Sequence, residues 1–86
     1  MSSKHKKTLN AIFEEPIRSD IRWNDTESLI KSLGGSIKQG KGSRVWFYLN
    51  GKVGRFHKPH PHQEIDKYVV KDLRDLLEVA GFLPEE

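Results

Sequence analysis

Cysteine is absent from the 86 residues. That excludes a disulfide framework, thiolate zinc sites and cysteine nucleophiles, and it leaves histidine, carboxylate, hydroxyl and lysine chemistry. Long apolar runs are missing as well. Stretches such as residues 45–49 fall far short of the ~20 residues of a bilayer span or the ~7–15 of a signal-peptide core. The expectation is a soluble, cytoplasmic protein with no membrane contact. A chain this short buries only roughly 60–65% of its unfolded surface, so a single small domain without a large enclosed cavity is expected. The most informative absence is acidic. Residues 28–63 contain seven Lys and Arg and no Asp or Glu, although 31% of the whole chain is charged. Acids dominate residues 8–27 and 64–86, and the net charge of +3 conceals that segregation. A carboxylate-free basic segment suits a surface that meets phosphate, the plain alternative being chance and solubility.

Leu9, Ile12 and Phe13 lie at helical spacing, which predicts a short helix over residues 4–14 that stops before Pro16. Asn24, three residues before Glu27, has capping-box spacing and predicts the start of a second helix with Leu29, Ile30 and Leu33 inward. Gly34-Gly35 should end it. Residues 36–39, 44–49 and 52–57 then read as three antiparallel strands. Asn50-Gly51 suits a two-residue type I′ turn and fixes a register: Leu49 against Lys52, Phe47 against Gly54, Trp46 against Arg55, Val45 against Phe56, and Arg44 against His57. Val45, Phe47, Leu49 and Phe56 would face helices, while Arg44, Trp46, Tyr48, Arg55 and His57 share the open face. The two prolines of residues 58–62 exclude helix or sheet interior there. From Asp66, the stripe Val69, Val70, Leu73, Leu76, Leu77 and Ala80 predicts a final helix closed by Gly81.

The open face is the first candidate site. Arginine forks onto phosphate, a glycine-rich turn at residues 40–43 admits close backbone approach, and Trp46 and Tyr48 can stack on bases. The same composition also suits a protein interface or a plain solvated sheet. His57 is the second candidate. An imidazole, which ordinarily titrates near neutrality, beside a permanent cation suits cleavage of RNA by its own 2′-hydroxyl, with no metal required. His57, His60 and His62 with Asp66 match no metal-ligand spacing, so no metal or other cofactor is expected. Ser43 lacks a triad context, and Gly40 and Gly42 lack the third glycine of a dinucleotide fingerprint.

The order of these parts resembles the HicA toxins of bacterial type II toxin–antitoxin modules. The resemblance covers roughly residues 21–82. It rests on the Gly34-Gly35 helix stop, the Gly40-Lys41-Gly42-Ser43-Arg44 turn and strand, the Asn50-Gly51 hairpin, Lys67, and the ending Leu73-Arg74-Asp75-Leu76-Leu77-Glu78-Val79-Ala80-Gly81-Phe82. It implies an α+β fold like that of double-stranded-RNA-binding domains, α-β-β-β-α, with a three-stranded antiparallel sheet covered by helices on one face. An extra N-terminal helix would lie in an extension over residues 1–20, ahead of a domain over 21–83. The implied activity is that of an mRNA interferase, a metal-independent endoribonuclease that blocks translation, and the implied partners are single-stranded RNA or mRNA and a HicB-type antitoxin. His57 and Arg44 would be the catalytic pair. Lys41, Ser43, Arg44, Trp46, Tyr48, Arg55, Lys58 and Lys67 would bind RNA. One position departs from the family: many members carry their catalytic histidine directly after the Gly-Ser of the turn, where this chain has Arg44. An arginine stays protonated and is no general base, so either His57 across the hairpin takes that role or the chain is a non-catalytic module that binds RNA or a protein through the same face.

Overall fold

The hairpin at the centre of the chain sets the architecture. In the computed structural model, which describes residues 2–84, strands β1 (Ser36–Gln39), β2 (Arg44–Leu49) and β3 (Lys52–His57) form an antiparallel sheet in the order β1-β2-β3. The β2–β3 register agrees at every position with the one the Asn-Gly turn predicts, including Arg44 against His57 and Trp46 against Arg55. Asn50 and Gly51 sit at φ of 52° and 80°, the positive values that a type I′ turn requires. Asn50 also donates through Nδ2 to the Ala80 carbonyl at 2.9 Å, which ties the hairpin tip to the end of the last helix.

Helices α1 (Ser3–Ile12), α2 (Trp23–Ser32) and α3 (Lys67–Val79) complete the fold, an extra helix followed by α-β-β-β-α. This is the α+β arrangement of a double-stranded-RNA-binding domain. Asp66 caps α3 by accepting from the Tyr68 and Val69 amides. Both α2 and α3 end in paired Schellman bonds. Gly34 donates to Lys31 and Gly35 to Ile30, while Gly81 donates to Glu78 and Phe82 to Leu77. Gly34 and Gly81 take φ near +90°, where a side chain would be strained.

The start of α2 differs from the capping-box expectation. The helix begins at Trp23, with Arg22 at the N-cap position and no side-chain cap, so Asn24 is helical and caps nothing. The reason is tertiary. Trp23 N–H donates to the Gln63 carbonyl and Ile65 N–H to the Ile21 carbonyl, so that the backbones of Arg22 and Glu64 lie opposite each other as a single antiparallel bridge. These bonds fix the entry of the helix, and the Trp23 ring is wholly buried against Phe47, with centroids 5.4 Å apart.

Val45, Phe47, Leu49 and Phe56 are buried, and they meet the inward residues of α2 and α3: Leu29, Ile30, Val70, Leu73, Leu76 and Leu77. Leu9 and Ile12 of α1 join the same core. Arg74 of α3 holds α1 in place. Its guanidinium donates to the Ile12 and Glu14 carbonyls at 2.6 Å each and to the Glu15 carboxylate at 2.7 Å.

Candidate functional site

Alternation along the strands leaves one face of the sheet without helices. Arg44, Tyr48, Arg55 and His57 are exposed on it, Trp46 is half-buried, and β1 adds Lys38 directly beside Trp46. The pairing type on this face follows from one bond. Lys58 N–H donates to the Ser43 carbonyl at 2.8 Å, so residues 43 and 58 form a hydrogen-bonded pair and the alternate pairs do not. Arg44–His57, Trp46–Arg55 and Tyr48–Val53 are therefore the close, non-hydrogen-bonded pairs, with Cα atoms about 4.5 Å apart and side chains side by side.

Around His57 the structure brings together several of the residues singled out from sequence. The Ser43 hydroxyl lies 3.3 Å from His57 Nδ1. Arg44, Trp46, Arg55 and His57 line one shallow cleft of about 310 Å³. A second cleft of about 500 Å³ continues around the edge strand β3, lined by Arg55, His57, Lys58, His60 and His62 and, from the start of α3, Tyr68. His60 and His62 thus join the site through the proline loop. Among the described residues, no group of three or more His, Asp or Glu side chains is arranged to hold a metal.

Trp46 does not stand free. Its six-membered ring lies over Gly40, and a Cβ at that position would fall within 2.7 Å of Trp46 Cη2 and closer still to Cζ3. The glycine at the mouth of the β1–β2 turn is the seat of the aromatic side chain. Lys41 lies exposed in that turn, and Lys67 is exposed at the first position of α3. Neither lines the two clefts that share His57. Lys38 escaped the sequence reading because the β1–β2 register depends on the glycine turn, which has no two-residue rule to fix it. The most perturbed titrating groups lie elsewhere. In the connection from α1 to α2, Arg18 hydrogen-bonds Asp20 and Glu14, which holds the Asp20 carboxyl below its ordinary range and raises the guanidinium.

Fold and face together define a small α+β protein of double-stranded-RNA-binding-domain type whose uncovered sheet surface is basic and aromatic. Residues 23–82, more than two thirds of the chain, match the family model for the HicA toxin of bacterial toxin–antitoxin pairs. The protein belongs to the HicA toxin family. No curated protein and no solved structure matches it significantly. No helix among the described residues is long and apolar enough to cross a membrane.

Proposed function

We propose that the protein is the toxin of a toxin–antitoxin pair and cleaves mRNA without a metal, with His57 as general base. The observation that carries this reading is the placement of His57: it is exposed, directly across the hairpin from Arg44, with Nδ1 near the Ser43 hydroxyl. When Nδ1–H donates to Ser43 Oγ, the Nε2 lone pair is left for the substrate. His57 Nε2 then takes the proton of a ribose 2′-hydroxyl, and the 2′-oxygen attacks the adjacent phosphorus. The P–O5′ bond breaks, leaving a 2′,3′-cyclic phosphate and a 5′-oxygen that is protonated from water. Arg44 and Arg55 stabilise the charge that develops on the phosphoryl oxygens, and Lys41, Lys58 and Lys67 add contacts to the backbone. Trp46 and Tyr48 stack on the bases. A HicB-type antitoxin neutralises the toxin by covering this face, and the setting is the bacterial cytoplasm.

The test is incubation with a long single-stranded RNA in EDTA, with analysis of the ends. Cyclic-phosphate ends that disappear in His57→Ala, while RNA affinity stays within a few-fold, are the expected result. Cleavage retained in His57→Ala overturns the assignment. The second reading is an RNA-binding module without cleavage, and it is favoured by Arg44 at the position where many members of the family carry histidine. Intact but gel-shifted RNA is its signature.

A further inference from the structure

The edge strand β3 has an unused hydrogen-bonding side. Because Lys58 pairs with Ser43, the amides and carbonyls of residues 52, 54, 56 and 58 point toward β2. Those of Val53, Arg55 and His57 point away from the sheet, and no backbone partner meets them among the described residues. All three side chains are exposed. Below this edge α3 packs against the strand, with Leu76 close to Gly54, and two shallow clefts lie along the outer side of that contact. The 500 Å³ cleft has Arg55, His57 and Lys58 on its strand side and Glu64, Asp66 and Asp72 on its far side, and it shares Arg55 and Asp72 with a second of about 280 Å³ that Val53, Asp75 and Val79 also line. Val53, Tyr68 and Val79 are each more than half exposed there.

We infer that β3 is a docking edge for an extended segment of a partner protein, which adds to the sheet as a fourth strand and carries acidic side chains on one face. The charge of the edge selects the occupant. In a two-fold pairing of β3 with itself centred on Arg55, Arg55 would face Arg55 and Lys52 would face Lys58, cation against cation, which disfavours a second copy of this chain. A foreign strand with Glu or Asp on the sheet face would lie beside Arg55 and His57 and complement both. Its alternate side chains would face Asp72, Asp75 and the exposed Val79, where acid is repelled and an apolar group can lie on Val79. The matching sequence therefore alternates acidic and apolar residues. The docking rests on the family's having a protein partner and is independent of the ribonuclease reading. Where that reading holds, the same strand would stand next to His57 and bar RNA from it.

The probe is a synthetic ten-residue peptide of alternating Glu and Val with blocked ends, and the control has the same composition as a block of Glu followed by a block of Val. Amide exchange followed by NMR reads the edge directly. In the free protein the amides of Val53, Arg55 and His57 should exchange at least about ten-fold faster than those of Gly54 and Phe56. The alternating peptide should slow those three by about ten-fold or more and leave Gly54 and Phe56 unchanged, and the control should not. Val53→Pro removes an outward N–H and no bond to β2, so it should weaken peptide binding about ten-fold with the sheet intact. No binding, equal binding of the control, or undiminished binding to Val53→Pro overturns the inference. Protection of the three edge amides that grows with protein concentration alone assigns the edge to a second copy and overturns it too. None of these readouts uses RNA, so a chain that fails to cleave still decides the question.

Discussion

Which nitrogen of an imidazole is left free depends on what holds the other, and beside His57 Nδ1 lies a hydroxyl from the neighbouring turn. Sequence spacing placed Arg44 across from His57 but gave no reason to set Ser43 against the ring, because strand alternation would turn residue 43 to the other face, and Ser43 escapes it by lying in the turn, outside β2. Gly40 makes a sharper case. Its backbone does not need the left-handed region, so Gly40→Ala is tolerated by the chain itself and felt only by the Trp46 ring. The ring is half-buried and can swing outward. Gly40→Ala is expected to cost about 1 kcal/mol, the low end for overpacking, and to alter tryptophan emission and RNA affinity together. Thermal unfolding and fluorescence on one sample check this. Unchanged emission would show that the ring is not seated on Gly40.

At the scale of elements, the hairpin and the last helix were legible because their signals are local. Asn50-Gly51 determines a register by turn geometry, and Asp66 and Gly81 bracket an apolar stripe at helical period. The start of α2 was not legible. The bonds that fix it come from residues 63–65, about forty positions away, and the capping-box spacing of Asn24 and Glu27 competes with them and loses. The attachment of α1 was hidden for the same reason, since it depends on Arg74, which in sequence is one polar position in an amphipathic helix. Arg74→Leu breaks all three bonds to the end of α1 and is expected to destabilise the fold by about 2–3 kcal/mol. Arg74→Lys should recover only part of that loss, since an ammonium lacks the planar fork. Denaturant unfolding of both variants measures the difference. In the connection that follows α1, Arg18→Gln should return Asp20 to the ordinary carboxylate value, read by NMR titration. The folded-state value is the lower one, so the contribution of this pair is present above the unfolded pKa and fades as pH falls through the folded one.

Taken whole, the molecule separates its charges by layer. Residues 36–63, which hold the sheet and its loops, carry six Lys and Arg and no carboxylate, while all twelve Asp and Glu belong to the helices, their connections and the ends of the chain. The logarithm of the affinity for single-stranded RNA should fall linearly with the logarithm of salt concentration. Removing Arg44 or Arg55 should reduce the slope by about 0.7 each, whereas Lys71→Ala on α3 should leave it unchanged. Equal effects from all three would place the RNA elsewhere than the sheet. The asymmetry also acts before contact. Residues 36–63 carry a charge of +6, while the other described residues carry nine Lys and Arg against ten Asp and Glu, so the positive excess, and with it one end of the molecular dipole, lies on the sheet side. In the field of a polyanion such a body experiences a torque as well as an attraction, and it turns while still about a Debye length away. Under the proposed RNA-binding function, encounters would be biased toward the orientation that presents the sheet, and raising the salt should slow arrival as well as loosen the complex.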